Sequence, residues 1–111
     1  MNRFEEIGNA VSDIELTKAG EAPLVRFTLA VKRQYKNKEG NYDTDFIQFK
    51  AWNKTAELLS KYVKKGDKVF VAGEIQTSTS EKDGDKRYFT DLVVNEVEFL
   101  SSKKAEQTEP K

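Results

Sequence analysis

The feature that most constrains this fold is the strict alternation of side-chain character in two nearby segments, residues 23–33 and 45–52. Successive side chains of a β-strand point to opposite faces, so each segment is predicted to be a strand with one buried face. The turn-forming stretch KNKEGN at 36–41 predicts that the two strands form a hairpin. The side chains expected in the core are Val25, Phe27, Leu29 and Val31 from the first strand, and Ile47, Phe49 and Ala51 from the second.

Two further strands are predicted at residues 69–77 and 87–100, joined by a hairpin loop at 80–86 that contains Asp83-Gly84. Gly73 inside the first of them indicates a bulge or a bend. The side chains expected to be buried in the second are Phe89, Val93, Val97 and Phe99.

One segment has helical spacing instead. In residues 53–66 the apolar side chains recur every three or four positions, with Asn53 as the predicted cap and Lys64, Lys65 and Gly66 as a cationic last turn and stop. The residues before 17 form a less regular strand region, interrupted by Gly8. A single helix between the third and fourth of about five strands is the connectivity of an OB-fold, a partly open five-stranded barrel. On pattern alone, another small barrel or an α+β sheet remains an alternative.

Composition narrows the functional classes. The 111 residues are enough for one domain, predicted at 1–101 and followed by a short disordered tail at 102–111. The chain has no cysteine and no histidine, which removes disulfides, thiolate nucleophiles and Cys/His zinc sites. With no membrane-length apolar run and no signal-peptide pattern, we expect a cytoplasmic protein.

The candidate functional surface is the other face of residues 45–52. It carries Phe46, Gln48, Lys50 and Trp52, which are two aromatic side chains on either side of an amide and a cation. This surface lies in a basic stretch, because residues 32–54 carry six basic and three acidic side chains although the whole chain has a net charge of zero. Bases stack on aromatic rings while cations contact phosphates, so this face predicts nucleic-acid binding. The alternative interpretation is that both rings are buried between subunits.

Two further features each have two interpretations. Tyr35 lies among cations where a strand runs into its loop, and it either packs in the loop or contacts nucleic acid. Asp43 and Asp45 could hold a divalent metal, but two carboxylates at the start of a strand are more commonly solvated surface groups. With no nucleophile–base constellation and no phosphate-binding glycine loop, we expect neither an enzyme nor a cofactor.

The chain resembles the bacterial and phage single-stranded DNA-binding protein (SSB) family over about residues 1–100. The matching stretches are MNR at the start, FTLAVKR at 27–33, TDFIQFKAWNKTAE at 44–57, YVKKGDKVFVAGEIQT at 62–77 and DGDKRYFTDLVV at 83–94. The resemblance implies an OB-fold, sequence-independent binding of single-stranded DNA in replication, repair or recombination, and a homotetramer, with a dimer as the alternative. The alternative is that the chain acts as an SSB-like primosome accessory or as an RNA-binding OB protein.

The resemblance also suggests individual roles. Phe46 and Trp52 match principal stacking positions of the family, Gln48 stands between them, and Tyr35 falls near a further aromatic position. The remaining candidate DNA-binding residues are Arg3, Lys32, Arg33, Lys50, Lys54, Phe70 and Arg87.

The chain departs from the family pattern in three places. The family often carries arginines and a further aromatic near IQTSTSEK, where this chain has Gln76, Ser78 and Ser80. FEEIGN replaces a more apolar first strand, which questions the standard contact between subunits. The last residues, EQTEPK, lack the acidic tip of bacterial replication SSBs, so we expect no recruitment of replication enzymes through such a tip.

Overall fold

The structure, a computed structural model, describes residues 1–100, which form six β-strands and one α-helix. The elements, in chain order, are β1 (Phe4–Ala10), β2 (Thr17–Ala19), β3 (Ala22–Lys36), β4 (Tyr42–Trp52), α1 (Asn53–Tyr62), β5 (Lys68–Lys82) and β6 (Asp85–Phe99). The tail predicted at 102–111 lies outside the described residues. Among the described residues, no helix is both long enough and apolar enough to cross a membrane.

Five of the strands close into a barrel in the order β1-β5-β6-β4-β3, and β3 pairs with β1 again. All neighbours are antiparallel except β4 and β6, which run parallel with Lys50 opposite Val93. The short strand β2 only extends the edge of β3. The helix lies between β4 and β5, the third and fourth barrel strands, so the predicted all-β OB-fold is confirmed.

The barrel is filled by the alternating faces that the sequence predicted for β3 and β4. Phe49 is only 2% exposed, and its ring lies 5.6 Å from that of Phe4 and 5.5 Å from that of Phe27, centroid to centroid. Ala56 and Leu59 of α1 close the barrel on the helix side. Because Ile47, Phe49 and Ala51 of β4 pack in or against this core, the residues that alternate with them must face outward.

The helix differs from its prediction at both ends. Trp52 occupies the N-cap position without a side-chain cap, and Asn53 has a positive φ of 55° as the first helical residue. The helix ends at Tyr62. Lys64 donates its backbone N–H to the Asp67 carboxylate, so the chain turns away before the predicted cationic last turn can form.

A bulge in β6 explains why the predicted burial of that strand was partly wrong. Ala72 is paired with Glu96, but the next residue, Gly73, is paired with Val94, so Asn95 is an extra residue on β6. A Cβ built on Gly73 would approach the Val93 carbonyl oxygen to 1.8 Å, which confirms that glycine is needed there. The extra residue reverses which side chains of β6 face inward.

The consequence is visible on both sides of the bulge. Phe89, which precedes it, is 47% exposed, and Val93 is only half-buried, although both were predicted to be buried. After the bulge the predicted parity holds, and Val97 packs against the core. Phe99, at the strand end, is exposed at 42%, and its ring centroid lies 5.8 Å from that of Tyr62.

Strand β1 is continuous through Gly8, contrary to the predicted interruption. A Cβ on this glycine would lie 2.7 Å from the Ala30 carbonyl oxygen, so β3 approaches β1 too closely for any side chain there. The glycine therefore allows the seam that closes the barrel.

Candidate nucleic-acid interface

The outer face of β4 carries four of the predicted site residues in a row. Phe46 is 67% exposed, Gln48 is exposed, and Lys50 and Trp52 are half-buried. They alternate along the strand with Ile47, Phe49 and Ala51, which pack in or against the core, so the barrel holds all four on one surface. We call these four residues the β4 platform.

Lys50 is held at the centre of the β4 platform by two contacts. Its Nζ lies 3.4 Å from an Asp91 carboxylate oxygen on the neighbouring strand β6. The same Nζ lies 5.4 Å from the centroid of the Trp52 ring, within the range of a cation–π contact. One face of the indole is therefore occupied by the ammonium, and a base would stack on the other face or displace it.

A shallow cleft of about 220 Å³ opens beside this contact, where β3, β4 and β6 lie side by side. Its polar lining includes Arg26 and Thr28 from β3, Gln48 from β4, and Asp91 from β6. Amide, hydroxyl, guanidinium and carboxylate groups can hydrogen-bond to base edges, sugars or phosphates. The cleft adds polar contacts beside the aromatic rings.

Arg33 forms a two-point ion pair with Asp45. Its Nε lies 2.9 Å from one carboxylate oxygen of Asp45 and its Nη2 lies 2.9 Å from the other, while its Nη1 is 3.8 Å from an Asp43 oxygen. The hydrogen bond from the guanidinium lowers the pKa of the Asp45 carboxyl and raises that of Arg33. Asp43 and Asp45 are therefore partners of an arginine, and no group of three or more candidate ligands within residues 1–100 could hold a metal ion.

The Arg33–Asp45 pair lies on a different surface from Phe46. Arg33 and Asp45 line a groove of about 560 Å³ together with Phe70 from β5 and Ile47 from the inner face of β4. Glu6 lies in this groove too, where burial, and then the charge of Asp45, raise the pKa of its carboxyl. The structure thus separates Arg33 and Phe70 from the β4 platform.

The other predicted cations are spread over the molecule. Arg3 is paired with Glu5 and Glu96, both at 3.0 Å, on the β1–β5–β6 side of the barrel. Lys32 has its Nζ 5.9 Å from the centroid of the Tyr42 ring. Three further candidates are exposed: Tyr35 near the end of β3, Lys54 in the first turn of α1, and Arg87 on the β5–β6 hairpin.

Sequence reasoning missed three residues near the site. Asp91 holds Lys50, but the two positions are 41 residues apart, and only the parallel pairing of β4 with β6 brings them together. Phe89 has the outward parity of Asp91, which the bulge conceals in the sequence. Tyr42, 47% exposed, lies close to the ammonium groups of both Lys32 and Lys36 and could have been noticed as an aromatic in a lysine-rich hairpin.

An OB barrel with exposed aromatic rings and cations on its outer face has the features of an oligonucleotide-binding domain. Residues 1–100 match the model of the single-strand binding protein family. The chain belongs to this family.

Individual relatives agree with the match. A Listeria innocua serovar 6a protein named single-stranded DNA-binding protein 3 is 43% identical over 106 residues, which are 93% of this chain and 66% of that protein. A Clostridium acetobutylicum protein named single-stranded DNA-binding protein 1 is 44% identical over 110 residues, or 94% of this chain and 97% of that protein. The chain therefore spans just under two thirds of the Listeria protein and nearly all of the Clostridium one.

Proposed function

We propose that this protein binds single-stranded DNA without sequence preference and coats it during replication, repair or recombination. The observation that carries the proposal is the β4 platform, where Phe46 and Trp52 face outward from a strand whose other face is core. Every base has a π-face, so stacking on these rings tolerates any sequence, at about 1–3 kcal/mol per base. The family and the names of the relatives support the same function. Family membership makes the protein a binding protein and not an enzyme.

The proposed path of the strand runs over the β4 platform, with Gln48 meeting base edges or sugars and Lys50 meeting a phosphate. Lys32 and Lys54 extend the path from β3 and from α1. Tyr35 and Arg87 are proposed as outlying contacts on the two hairpins. Arg3, Arg33 and Phe70 belong to the proposal only through the family resemblance, because they lie off the β4 platform and both arginines are paired with carboxylates.

We also propose that the protein acts in the cytoplasm as a homotetramer, with a dimer as the alternative. Ile7 of β1 supports self-association, since it is 48% exposed and paired with Phe70 on the outer surface of β1 and β5. Mass measurement by sedimentation at several concentrations distinguishes the tetramer from the dimer and from a monomer.

Trp52 is the only tryptophan, so its fluorescence reports directly on the proposed site. We expect oligo-dT to quench it strongly, salt to weaken the binding, and dilution alone to leave the intensity unchanged. An absence of quenching, with a blue-shifted emission in the free protein, would instead support burial of the rings between subunits.

Matched DNA, RNA and duplex oligonucleotides separate the leading function from its rivals. We expect the DNA single strand to bind most tightly. Preference for RNA would support the RNA-binding alternative, and equal affinity for all three would reject the proposed function. A primosome accessory would bind DNA but would not saturate long single strands, which a titration of long circular single-stranded DNA measures.

A further inference from the structure

Lys50 is the cation of the β4 platform, yet in the free protein a carboxylate neutralises it. The side chains of Lys50 and Asp91 are 20% and 36% exposed, so the pair is partly withdrawn from water. Such a pair is screened less than one on the open surface. The ammonium is directed toward Asp91 and Trp52 before any nucleic acid arrives.

The position of Asp91 follows from the barrel's one parallel seam. Val93 lies opposite Lys50, and Asp91, two residues earlier on β6, projects from the same outer face. On the other neighbouring strand, β5, Asp91 is paired in register with the neutral Gln76. Within residues 1–100, Lys50 is the only side chain that forms an ion pair with Asp91.

On the other side of β4, Arg26 is paired in register with Lys50, so two like charges stand side by side. Arg26 also lines the cleft that contains Asp91. Like charges directly opposite each other destabilise a sheet, and the Asp91 carboxylate reduces that repulsion. Without Asp91, the cleft would present two cations to a phosphate.

Resting on the proposed function, we infer that Asp91 is an affinity-setting residue that competes with DNA phosphate for Lys50. When a strand binds, phosphate takes the place of the carboxylate at the ammonium, and Asp91 remains in the cleft as a negative charge beside the strand. The protein thus binds more weakly, and with a shallower salt dependence, than its cations alone would give. Lys50 also lies against the Trp52 ring, so an ammonium that moves toward a phosphate would leave that face of the indole open to a base.

The test compares oligo-dT binding by the wild type, Asp91→Asn and Glu57→Gln across a salt series. Glu57 is an exposed residue on α1 with no ion pair among the described residues, so Glu57→Gln changes net charge by the same amount. Asp91→Asn should bind about three- to tenfold more tightly at low salt, the size of one surface charge contact. Its slope of log affinity against log salt should be steeper by about 0.7, the value for one added single-strand phosphate contact.

The double variant Lys50→Ala/Asp91→Asn separates a direct exchange from a general charge effect. If Asp91 acts through Lys50, removing the carboxylate in the Lys50→Ala background gives less than half the gain in log affinity. A full gain in that background, or a gain no larger than that of Glu57→Gln, would overturn the inference.

A second variant and the binding of the wild type itself distinguish the possible outcomes. Asp91→Thr, with a neutral side chain suited to a strand, should reproduce the gain and replaces Asp91→Asn should that variant not fold. A wild-type protein that does not bind oligo-dT removes the proposed function together with this inference. A wild type that binds, with no gain in either Asp91 variant, removes only the inference.

Discussion

The β4 platform and the β5–β6 hairpin are both built from paired strands, but only the first has a core behind it. In β4, Phe49 and Ala51 anchor the strand from inside while Phe46 and Trp52 face outward. In the hairpin, residues 76–90 are exposed on both faces. The core fixes the positions of the β4 side chains before binding, whereas hairpin side chains must be ordered when a ligand arrives. We therefore expect substitutions on the two faces of β4 to separate folding from binding, and hairpin substitutions to have small effects on both.

The largest expected effect is on the inner side of the β4 platform. Phe49→Ala should lower the free energy of unfolding by about 3–5 kcal/mol, because it leaves a cavity beside the rings of Phe4 and Phe27. Urea unfolding measures this loss. Phe46→Ala is the matched control on the outer side of the same strand and should change the unfolding free energy by less than about 0.5 kcal/mol. Equal losses in the two variants would mean that Phe46 belongs to a buried interface.

The next effect is on binding. Phe46→Ala should weaken oligo-dT binding by about 1–3 kcal/mol, the value of one lost stacking contact. Quenching of Trp52, which this variant retains, measures the affinity. Trp52→Ala should lose a similar amount, measured by the anisotropy of a labelled oligonucleotide, and unfolding of that variant would place the indole in the core instead.

A smaller effect is expected on the hairpin, where two adjacent aromatics face opposite ways. Phe89 shares the outward parity of Asp91 and Arg87, so Phe89→Ala should weaken binding by about 1 kcal/mol, the low end for a stacked base. Tyr88, 74% exposed on the other face, is the control, and its alanine variant should bind like the wild type. If the Tyr88 variant binds DNA more weakly than the Phe89 variant, the bound DNA follows the other face of the hairpin.

The smallest effect concerns pH and the Arg33–Asp45 pair. Arg33 lowers the folded-state pKa of Asp45, so the pair contributes stability above the ordinary Asp value, and this contribution is lost as pH falls through the lowered pKa. The melting temperature of Asp45→Asn should thus lie below that of the wild type at pH 7, and the gap should close below about pH 4. Because both side chains are exposed, we expect a change of a few degrees at most.

The substitution Glu6→Gln should change the pH dependence of stability in the opposite direction. Burial raises the pKa of Glu6, so its ionisation destabilises the folded protein as pH rises. The melting temperature of this variant should rise relative to that of the wild type between about pH 4 and pH 7. The same thermal scans measure this difference. A gap that closes with rising pH would contradict the assignment of Glu6 to a partly buried groove.

The two regions also differ in how well the sequence predicted them. The faces of β3 and β4 alternate without a bulge up to Lys32, so their inward and outward side chains were predicted correctly from period alone. On β6 the extra residue at Asn95 reverses the pattern, and Phe89 was wrongly assigned to the core. Gly73 indicated a bulge or a bend, but it lies on the partner strand β5 and does not show which residue of β6 is the extra one.

Charge pairing could not be predicted for a different reason. The cations were identified, and Arg33 meets Asp43 and Asp45 of its own hairpin, but the carboxylates that pair with Lys50 and with one side of Arg3 come from a distant strand. Lys50 meets Asp91 only because β4 and β6 run parallel, and Arg3 meets Glu96 across β5. Such partners follow from topology and register, which a single sequence leaves open. The candidate site was therefore predicted as a set of residue types, and the structure supplied its electrostatics.

Because of the bulge at Asn95, the number of residues in β6 determines which side chains of the hairpin face outward, whatever their chemistry. Deleting this one residue would keep every side chain between Asp85 and Val94 and yet turn Arg87, Phe89 and Asp91 to the other side of β6 relative to the remainder of the strand. Substitutions at Asn95 should be tolerated, because its side chain is exposed. Homologous or engineered chains that differ by a single-residue gap here would present a different hairpin surface from almost the same sequence.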